Sequence, residues 1–148
     1  MLKIITHPNP ILRKKSREIK HEEILRADFK KLVKDMAKTM LEKDGVGLAA
    51  PQVGKNIRLI VVNSEDGVMA FINPKILKKS WRKKIGEEGC LSLPDIFMLV
   101  KRHYGVEVEF LNLEAKKQKI KAKDLLARVF QHEIDHLDGV LFIDKAER

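Results

Sequence analysis

The segment Gln131-His132-Glu133-Ile134-Asp135-His136 carries the pattern H-E-x-x-H near the C-terminus of the chain. Each residue of an α-helix turns the chain by about 100°, which would set His132 and His136 on one face, one turn apart. Their ring nitrogens can then bind one metal ion, with Glu133 beside them to take a proton from water. The spacing is typical of metal hydrolases and favours a metal site over two histidines that merely pack on a core helix.

The residues around this motif predict a helix over residues 124–137, with Asp124 as its N-cap and Gly139 as its stop signal. Its apolar face comprises Leu125, Leu126, Val129 and Phe130. Apolar residues at helical spacing also predict one long N-terminal helix over residues 22–43. Strands are expected over residues 57–62, 68–72, 75–81, 104–111 and 117–122. This order predicts an α+β fold with mainly antiparallel sheets packed around the C-terminal helix.

A catalytic zinc-type site usually takes three protein ligands, so a third ligand is needed beside the two histidines. Phe142 occupies the position at which one metallopeptidase pattern has a third histidine, and the short remaining chain disfavours a downstream glutamate. Asp144 stays a weak candidate. Cys90, the single cysteine, lies in a glycine-bearing loop over residues 86–94. A lone cysteine is ordinarily a small buried hydrophobe, but the polar neighbours of Cys90 argue against simple core filling.

A second glycine-bearing stretch runs from Gly45 to Gly54 and superficially matches the dinucleotide-binding pattern G-x-G-x-x-A. That fingerprint requires a preceding strand, whereas a predicted helix precedes this stretch. We instead expect the backbone to approach another group closely at Gly45 and Gly47, with the Gln52 amide as a donor to an oxyanion. By spacing alone, an ordinary turn is an equally good interpretation.

Together these segments resemble peptide deformylases, whose hallmarks are a G-x-G-x-A-A-x-Q loop, an E-G-C-L-S loop and a Q-H-E-x-D-H helix. Gly45 to Gln52, Glu88 to Ser92 and Gln131 to His136 match these motifs in order, and the resemblance covers nearly the whole chain. It implies one catalytic domain over residues 1–148 with the α+β architecture of the family. The implied reaction is hydrolytic removal of the formyl group from the N-terminal formyl-methionine of new polypeptides, releasing formate.

The resemblance also implies a role for each matching residue. Cys90, His132 and His136 would bind the metal, and Glu133 would transfer the proton. The Gln52 amide and the Leu91 backbone N–H would hold the oxyanion. The substrate would contact Val46, Gly47, Gly89, Leu125 and Val129, although plain core packing is the alternative for Leu125 and Val129.

The expected cofactor is one divalent metal ion, most often Fe(II) in the family, with Zn, Ni or Co as substitutes. The donor set alone does not select among these metals. Family members often have an arginine beside the substrate channel soon after the E-G-C-L-S loop, where this chain reads Asp95-Ile96-Phe97-Met98. The outer substrate subsites are therefore expected to differ, with an apolar rim.

Composition agrees with a small cytoplasmic enzyme. A chain of 148 residues with 44% hydrophobic residues can bury one core, and no apolar run approaches the roughly 20 residues of a membrane span. The net charge of +9 raises RNA binding as an alternative, but dispersed basic residues with few aromatics favour a solvated surface. The expected partners are formyl-methionyl nascent polypeptides, with transient ribosome contact left open, and neither DNA nor membranes.

Two rival functions share part of the pattern. An endopeptidase would use the same metal chemistry, although Cys90 and Gln52 suit a small formyl group better. A noncatalytic, metal-stabilised binding module would need neither Glu133 nor Gln52, and it would ordinarily close its site with four protein ligands.

Overall fold

The computed structural model describes residues 2–147, in which a five-stranded antiparallel sheet lies between helices. The helices are α1 (His21–Ile24), α2 (Ala27–Glu42) and α3 (Asp124–Leu137). The strands are β1 (Gly47–Ala49), β2 (Leu59–Ser64), β3 (Gly67–Lys79), β4 (Lys83–Cys90), β5 (Leu93–His103), β6 (Gly105–Leu111) and β7 (Lys117–Lys123). The sheet order is β1-β2-β3-β6-β7, and β4 and β5 form a separate hairpin. The α+β class with antiparallel sheets and a C-terminal helix is confirmed.

Strand β2 is buried on both faces, which determines the order of the layers. Ile60 and Val62 pack in the cluster that contains α3, whereas Leu59 and Val61 pack in the cluster that contains α2. Successive side chains of a strand point to opposite faces of the sheet, so this apolar run needs a helix on each side. The sheet therefore separates α2 from α3.

Helix α3 is held on the sheet by its apolar face, where the Phe130 ring meets the Phe71 ring edge-on with centroids 4.8 Å apart. The helix ends before Gly139, which has a φ of 74°, so the predicted stop is confirmed. The predicted N-cap is wrong. Asp124 is the first residue of the helix, because β7 leads directly into α3, and its carboxylate pairs with Lys84 at 2.9 Å.

The long helix predicted over residues 22–43 is divided into α1 and α2, with the break at residues 25–26. The strands predicted over residues 68–72 and 75–81 form one strand, β3, whose register shifts between Ile72 and Lys75. Asn73 stabilises this irregularity: its side chain accepts from the Ile19 N–H at 2.8 Å and donates to the Ile19 carbonyl at 2.9 Å. These side-chain bonds replace ladder contacts, so the chain passes Pro74 without leaving the sheet.

Strands β4 and β5 are absent from the sequence-based prediction, which placed a loop over residues 86–94. Most side chains of β4 and β5 are exposed, and Gly86 and Gly89 interrupt β4, so the alternation that marks a half-buried strand is missing. Within residues 2–147, no helix is long and apolar enough to cross a membrane.

Candidate active site

Cys90, His132 and His136 lie together although they come from distant elements. Cys90 ends β4, and the two histidines lie one turn apart on α3. Their ligand atoms all lie within 4.8 Å of one another, and the Cys90 Sγ is 3.4 Å from the His136 Nε2. A thiolate with two imidazoles suits a divalent transition metal and leaves a coordination position for water. The donor set therefore fits one metal ion.

Asp144, the other candidate for the third ligand, is engaged elsewhere. Its carboxylate accepts from the Arg13 guanidinium at 2.5 and 3.1 Å and from the Leu141 N–H at 3.0 Å. The hydrogen bond from Arg13 lowers the pKa of Asp144. Asp144 lies outside the cluster of potential ligands, which leaves Cys90 as the third member.

His132 is oriented by Glu88. The His132 Nδ1 lies 2.8 Å from the Glu88 Oε1, and both side chains are buried. A carboxylate beside Nδ1 selects the tautomer that carries its proton there, so Nε2 is left as the ligand atom. This is the arrangement expected when a second residue positions a metal-binding histidine.

Glu88 is held in turn by two arginines. It accepts from the Arg102 Nε and Nη2 at 2.9 Å each and from the Arg128 Nη1 at 2.6 Å, while Arg102 also reaches Asp135 at 2.6 Å. Burial alone would raise the pKa of Glu88, but the hydrogen bonds from Arg102 and His132 lower it below its usual range. Glu88 is therefore ionised at neutral pH.

Glu133 lies beside the cluster, with its Oε2 4.0 Å from the His132 Nε2. Its Oε1 is buried and has no hydrogen-bond partner among the described residues. Burial raises the pKa of Glu133 to about 7, and burial lowers the pKa of His136 well below its ordinary value. A neutral His136 can ligate a metal, and a carboxyl group that titrates near neutrality can exchange a proton with water.

The predicted close approach at Gly47 is present. A Cβ placed there would lie 2.8 Å from the Glu133 Cγ and Oε2 and 2.9 Å from the Val129 Cγ1. Those separations are too short for any side chain, so glycine is needed for β1 to pass this close to α3. After Gly45 and Val46, the chain forms strand β1 and then a 3₁₀ helix over Ala50–Val53. The stretch is thus not an ordinary turn.

Gln52 is almost fully buried, with its amide held in one orientation. Its Oε1 accepts from the Ala49 N–H at 2.9 Å, and its Nε2 donates to the Ser92 Oγ at 3.1 Å. The same Nε2 lies 3.4 Å from the Cys90 Sγ. Because Oε1 is bonded to an N–H, the NH₂ group must be the one directed toward Cys90 and Ser92.

A cavity of about 480 Å³ opens beside the cluster. All the residues predicted to contact substrate or oxyanion line it, namely Val46, Gly47, Gln52, Gly89, Leu91, Leu125 and Val129. Val46 and Leu125 are exposed, whereas Val129 is buried and also belongs to the core. At the rim the Phe97 ring covers Gly89, where a Cβ would lie 2.6 Å from the ring. Phe97 is 65% exposed, consistent with the expected apolar rim.

Several side chains that hold this site were not predicted from the sequence. Glu88 and Ser92 lie inside the E-G-C-L-S motif, so the motif itself was a signal for them. Arg102 and Arg128 carry no local signal, because their common partner Glu88 is 14 and 40 residues away along the chain.

The family model for polypeptide deformylase matches residues 1–148. This chain belongs to that family. A peptide deformylase of Finegoldia magna is 48% identical over 139 residues, covering 93% of this chain and 84% of the relative. The crystal structure of the peptide deformylase from Thermotoga maritima, 40% identical, superimposes with a TM-score of 0.94 over 100% of this chain and 99% of that one.

A Met-Ala-Ser-bound class I type b peptide deformylase from Acinetobacter baumannii superimposes with a TM-score of 0.94 at 35% identity, covering 98% of each chain. Peptide deformylases are metal-dependent enzymes that hydrolyse the N-formyl amide of formyl-methionine on nascent polypeptides. The chain has this function, as its sequence and structure both place it in the family.

The Glu88–His132 contact predicts that Glu88→Gln weakens metal binding by about 10- to 100-fold, because Nδ1 loses its carboxylate partner. Competition with a chelator measures this affinity. Asp135→Asn is the matched control, since it removes a carboxylate from Arg102 but leaves the Glu88–His132 bond in place. Equal losses of metal affinity in the two variants would contradict a specific positioning role for Glu88.

Proposed function

We propose that Cys90, His132 and His136 bind one divalent metal ion at the base of the cavity. The convergence of the three side chains, with Glu133 beside them, is the observation that carries this proposal. We propose Fe(II) as the ion, with Zn, Ni or Co as substitutes, because one thiolate and two imidazoles accept all four. Such an ion supplies Lewis acidity, which lowers the pKa of a bound water toward about 7.

Glu133 acts as the general base and then as the general acid. Its buried carboxylate accepts a proton from the water that attacks the formyl carbon, and later gives that proton to the amine that leaves. The C–N bond of the formyl amide breaks, so formate and a free N-terminal amine are released. The pKa of Glu133, raised by burial to about 7, suits a group that must both take and return a proton near neutrality.

Gln52 and Leu91 stabilise the oxyanion that forms when water adds to the formyl carbonyl. The Gln52 Nε2 donates to the Ser92 Oγ at 3.1 Å and to the Cys90 Sγ at 3.4 Å. The N–H directed at the sulfur, which is a weak acceptor, is the one that donates to this oxygen. The second donor is the backbone N–H of Leu91, in the turn between β4 and β5. Donors fixed before the reaction stabilise the developing charge without reorganisation.

The methionine side chain of the substrate occupies the cavity. Val129 and Gly47 form its inner wall, and Val46 and Leu125 line the exposed part. The Met-Ala-Ser-bound structure of the Acinetobacter baumannii relative supports a peptide that begins with methionine as the ligand. Gly89 lines the same cavity and contacts the substrate there.

The proposals for domain extent, compartment and partners rest on membership of the family. We propose one catalytic domain over residues 1–148 that acts in the cytoplasm on nascent chains, in transient contact with the ribosome and without DNA or membrane partners. The match of the family model over that whole range supports the single domain.

Glu133→Gln is expected to keep the fold and the bound metal but to lower kcat by about a hundred- to ten-thousand-fold, because only proton transfer is lost. Formate release from a formyl-methionyl peptide and elemental analysis measure the two quantities. Glu87→Gln, which alters an exposed carboxylate on the same cavity, should leave kcat within a few-fold. Near-wild-type turnover by metal-loaded Glu133→Gln would rule out the proton-transfer role.

Gln52→Leu is expected to lower kcat by about a hundredfold or more while changing KM little, because its donor acts mainly on the transition state. Steady-state kinetics separate the two parameters. Ser92→Ala removes the hydroxyl that accepts from the Gln52 Nε2 but keeps the Gln52 amide itself, so its effect on kcat should be much smaller. A Gln52→Leu effect confined to KM would make Gln52 a binding residue only.

A further inference from the structure

The turn between β3 and β4 carries an unusual sequence, Lys78-Lys79-Ser80-Trp81-Arg82-Lys83-Lys84. Five of its seven residues are cationic, and its centre is the single tryptophan of the chain. The Trp81 side chain is 100% exposed, although large aromatic side chains are usually buried for most of their surface. The indole therefore contributes nothing to the core, and its exposure calls for another explanation.

The turn itself is firmly held. The Ser80 N–H donates to the Gly105 carbonyl at 2.8 Å, and the Ser80 Oγ donates to the Arg82 carbonyl at 2.7 Å and accepts from the Gly105 N–H at 3.0 Å. The Arg82 guanidinium lies 4.4 Å from the centre of the Tyr104 ring. These contacts fix the backbone on both sides of Trp81, so the exposed ring is presented by a rigid support.

A basic cavity of about 330 Å³ adjoins this turn. Its cationic lining comprises Lys79, Lys83, Lys101, Arg102 and Lys145, and its one acidic lining residue is Asp135. Asp135 is already paired with Arg102 and Lys145. In the part of the chain that the structure describes, Lys79 and Lys83 form no ion pair. The cavity therefore has a surplus of positive charge, and two of its cations, Lys79 and Lys83, lie two residues before and after Trp81 in the chain.

We propose that Trp81 and the neighbouring basic cavity bind single-stranded RNA. A base would stack on the indole, and backbone phosphates would bind Lys79 and Lys83 in the cavity. Stacking on an aromatic ring beside a positively charged groove is the general way in which proteins hold unpaired nucleotides. The sequence favoured a solvated basic surface because the basic residues are dispersed with few aromatics among them, but in this turn one fully exposed aromatic ring lies among five cationic residues.

The RNA surface is separate from the catalytic cavity. Gln131 and Asp135 of α3 line the basic cavity, whereas Val129 and His132 line the catalytic one, so the two lie on different faces of the same helix. A phosphate chain complements the charge of the basic cavity better than an apolar protein partner does. An enzyme that acts on nascent chains works beside ribosomal RNA, which makes RNA accessible to it.

Because Trp81 is the only tryptophan, its fluorescence reports on this site alone. Titration with a single-stranded RNA of about 20 nucleotides should quench the emission, and the affinity should fall steeply with salt. With labelled RNA, Trp81→Ala should weaken binding by about tenfold, whereas Trp81→Phe, which keeps a ring, should retain most of it. Lys79→Ala with Lys83→Ala should reduce the salt slope by roughly 0.7 per lysine.

The matched control is Lys34→Ala with Lys38→Ala, which removes the same charge from the exposed side of α2 and should change RNA affinity much less. All these variants should deformylate a short formyl-methionyl peptide at the wild-type rate, so the result is independent of the catalytic assignments. The proposal is overturned if RNA leaves the emission unchanged, or if both lysine pairs weaken binding equally. It is also overturned if vesicles of anionic phospholipid shift the emission while RNA does not.

Discussion

The bond between the Glu88 carboxylate and the His132 imidazole joins parts of the molecule that no sheet connects. The β4–β5 hairpin lies apart from the five-stranded sheet, and it is attached to α3 by polar contacts of Glu88 and by the Gln131 side chain, which bonds the His103 N–H and carbonyl. A buried carboxylate is costly unless its lone pairs are satisfied, and Arg102 and Arg128 provide that compensation. Since the hairpin carries Cys90 and the helix carries both histidines, this attachment helps to hold the three side chains together.

Helix α3 serves several purposes because its faces have different surroundings. Phe130 and Ile134 pack on the sheet. His132 and His136 lie near the Cys90 thiol, and Gln131 and Asp135 contact the hairpin. Burial in this setting also tunes the chemistry: it keeps His136 neutral for ligation and raises the pKa of Glu133 into the range useful for proton transfer. One helix therefore supplies core packing, two of the proposed ligands and the proposed proton-transfer group.

The sequence predicted most of the local structure but few of the contacts between residues that are far apart in the chain. The H-E-x-x-H pattern and the apolar face of α3 follow from helical spacing, and the close approach at Gly47 followed from its glycine. Strands β4 and β5 were not predicted, because their exposed side chains lack alternation. The roles of Arg102 and Arg128 depend on partners far along the chain, which no local pattern encodes. Only the family resemblance favoured Cys90 over Asp144 as the third ligand, since spacing left both residues open. The ion pair between Arg13 and the Asp144 carboxylate is visible only in the fold.

The central claim is that the thiolate of Cys90 is the third metal ligand, and thiol titration in metal-loaded and chelator-treated protein tests it most directly. The chain has one cysteine, so the whole signal comes from this residue. Metal coordination holds a thiolate and blocks its reaction with an added reagent. The predicted result is a Cys90 that is masked in the loaded protein and becomes reactive when the metal is removed. Equal reactivity in the two states, with metal still bound in the loaded sample, would contradict the account.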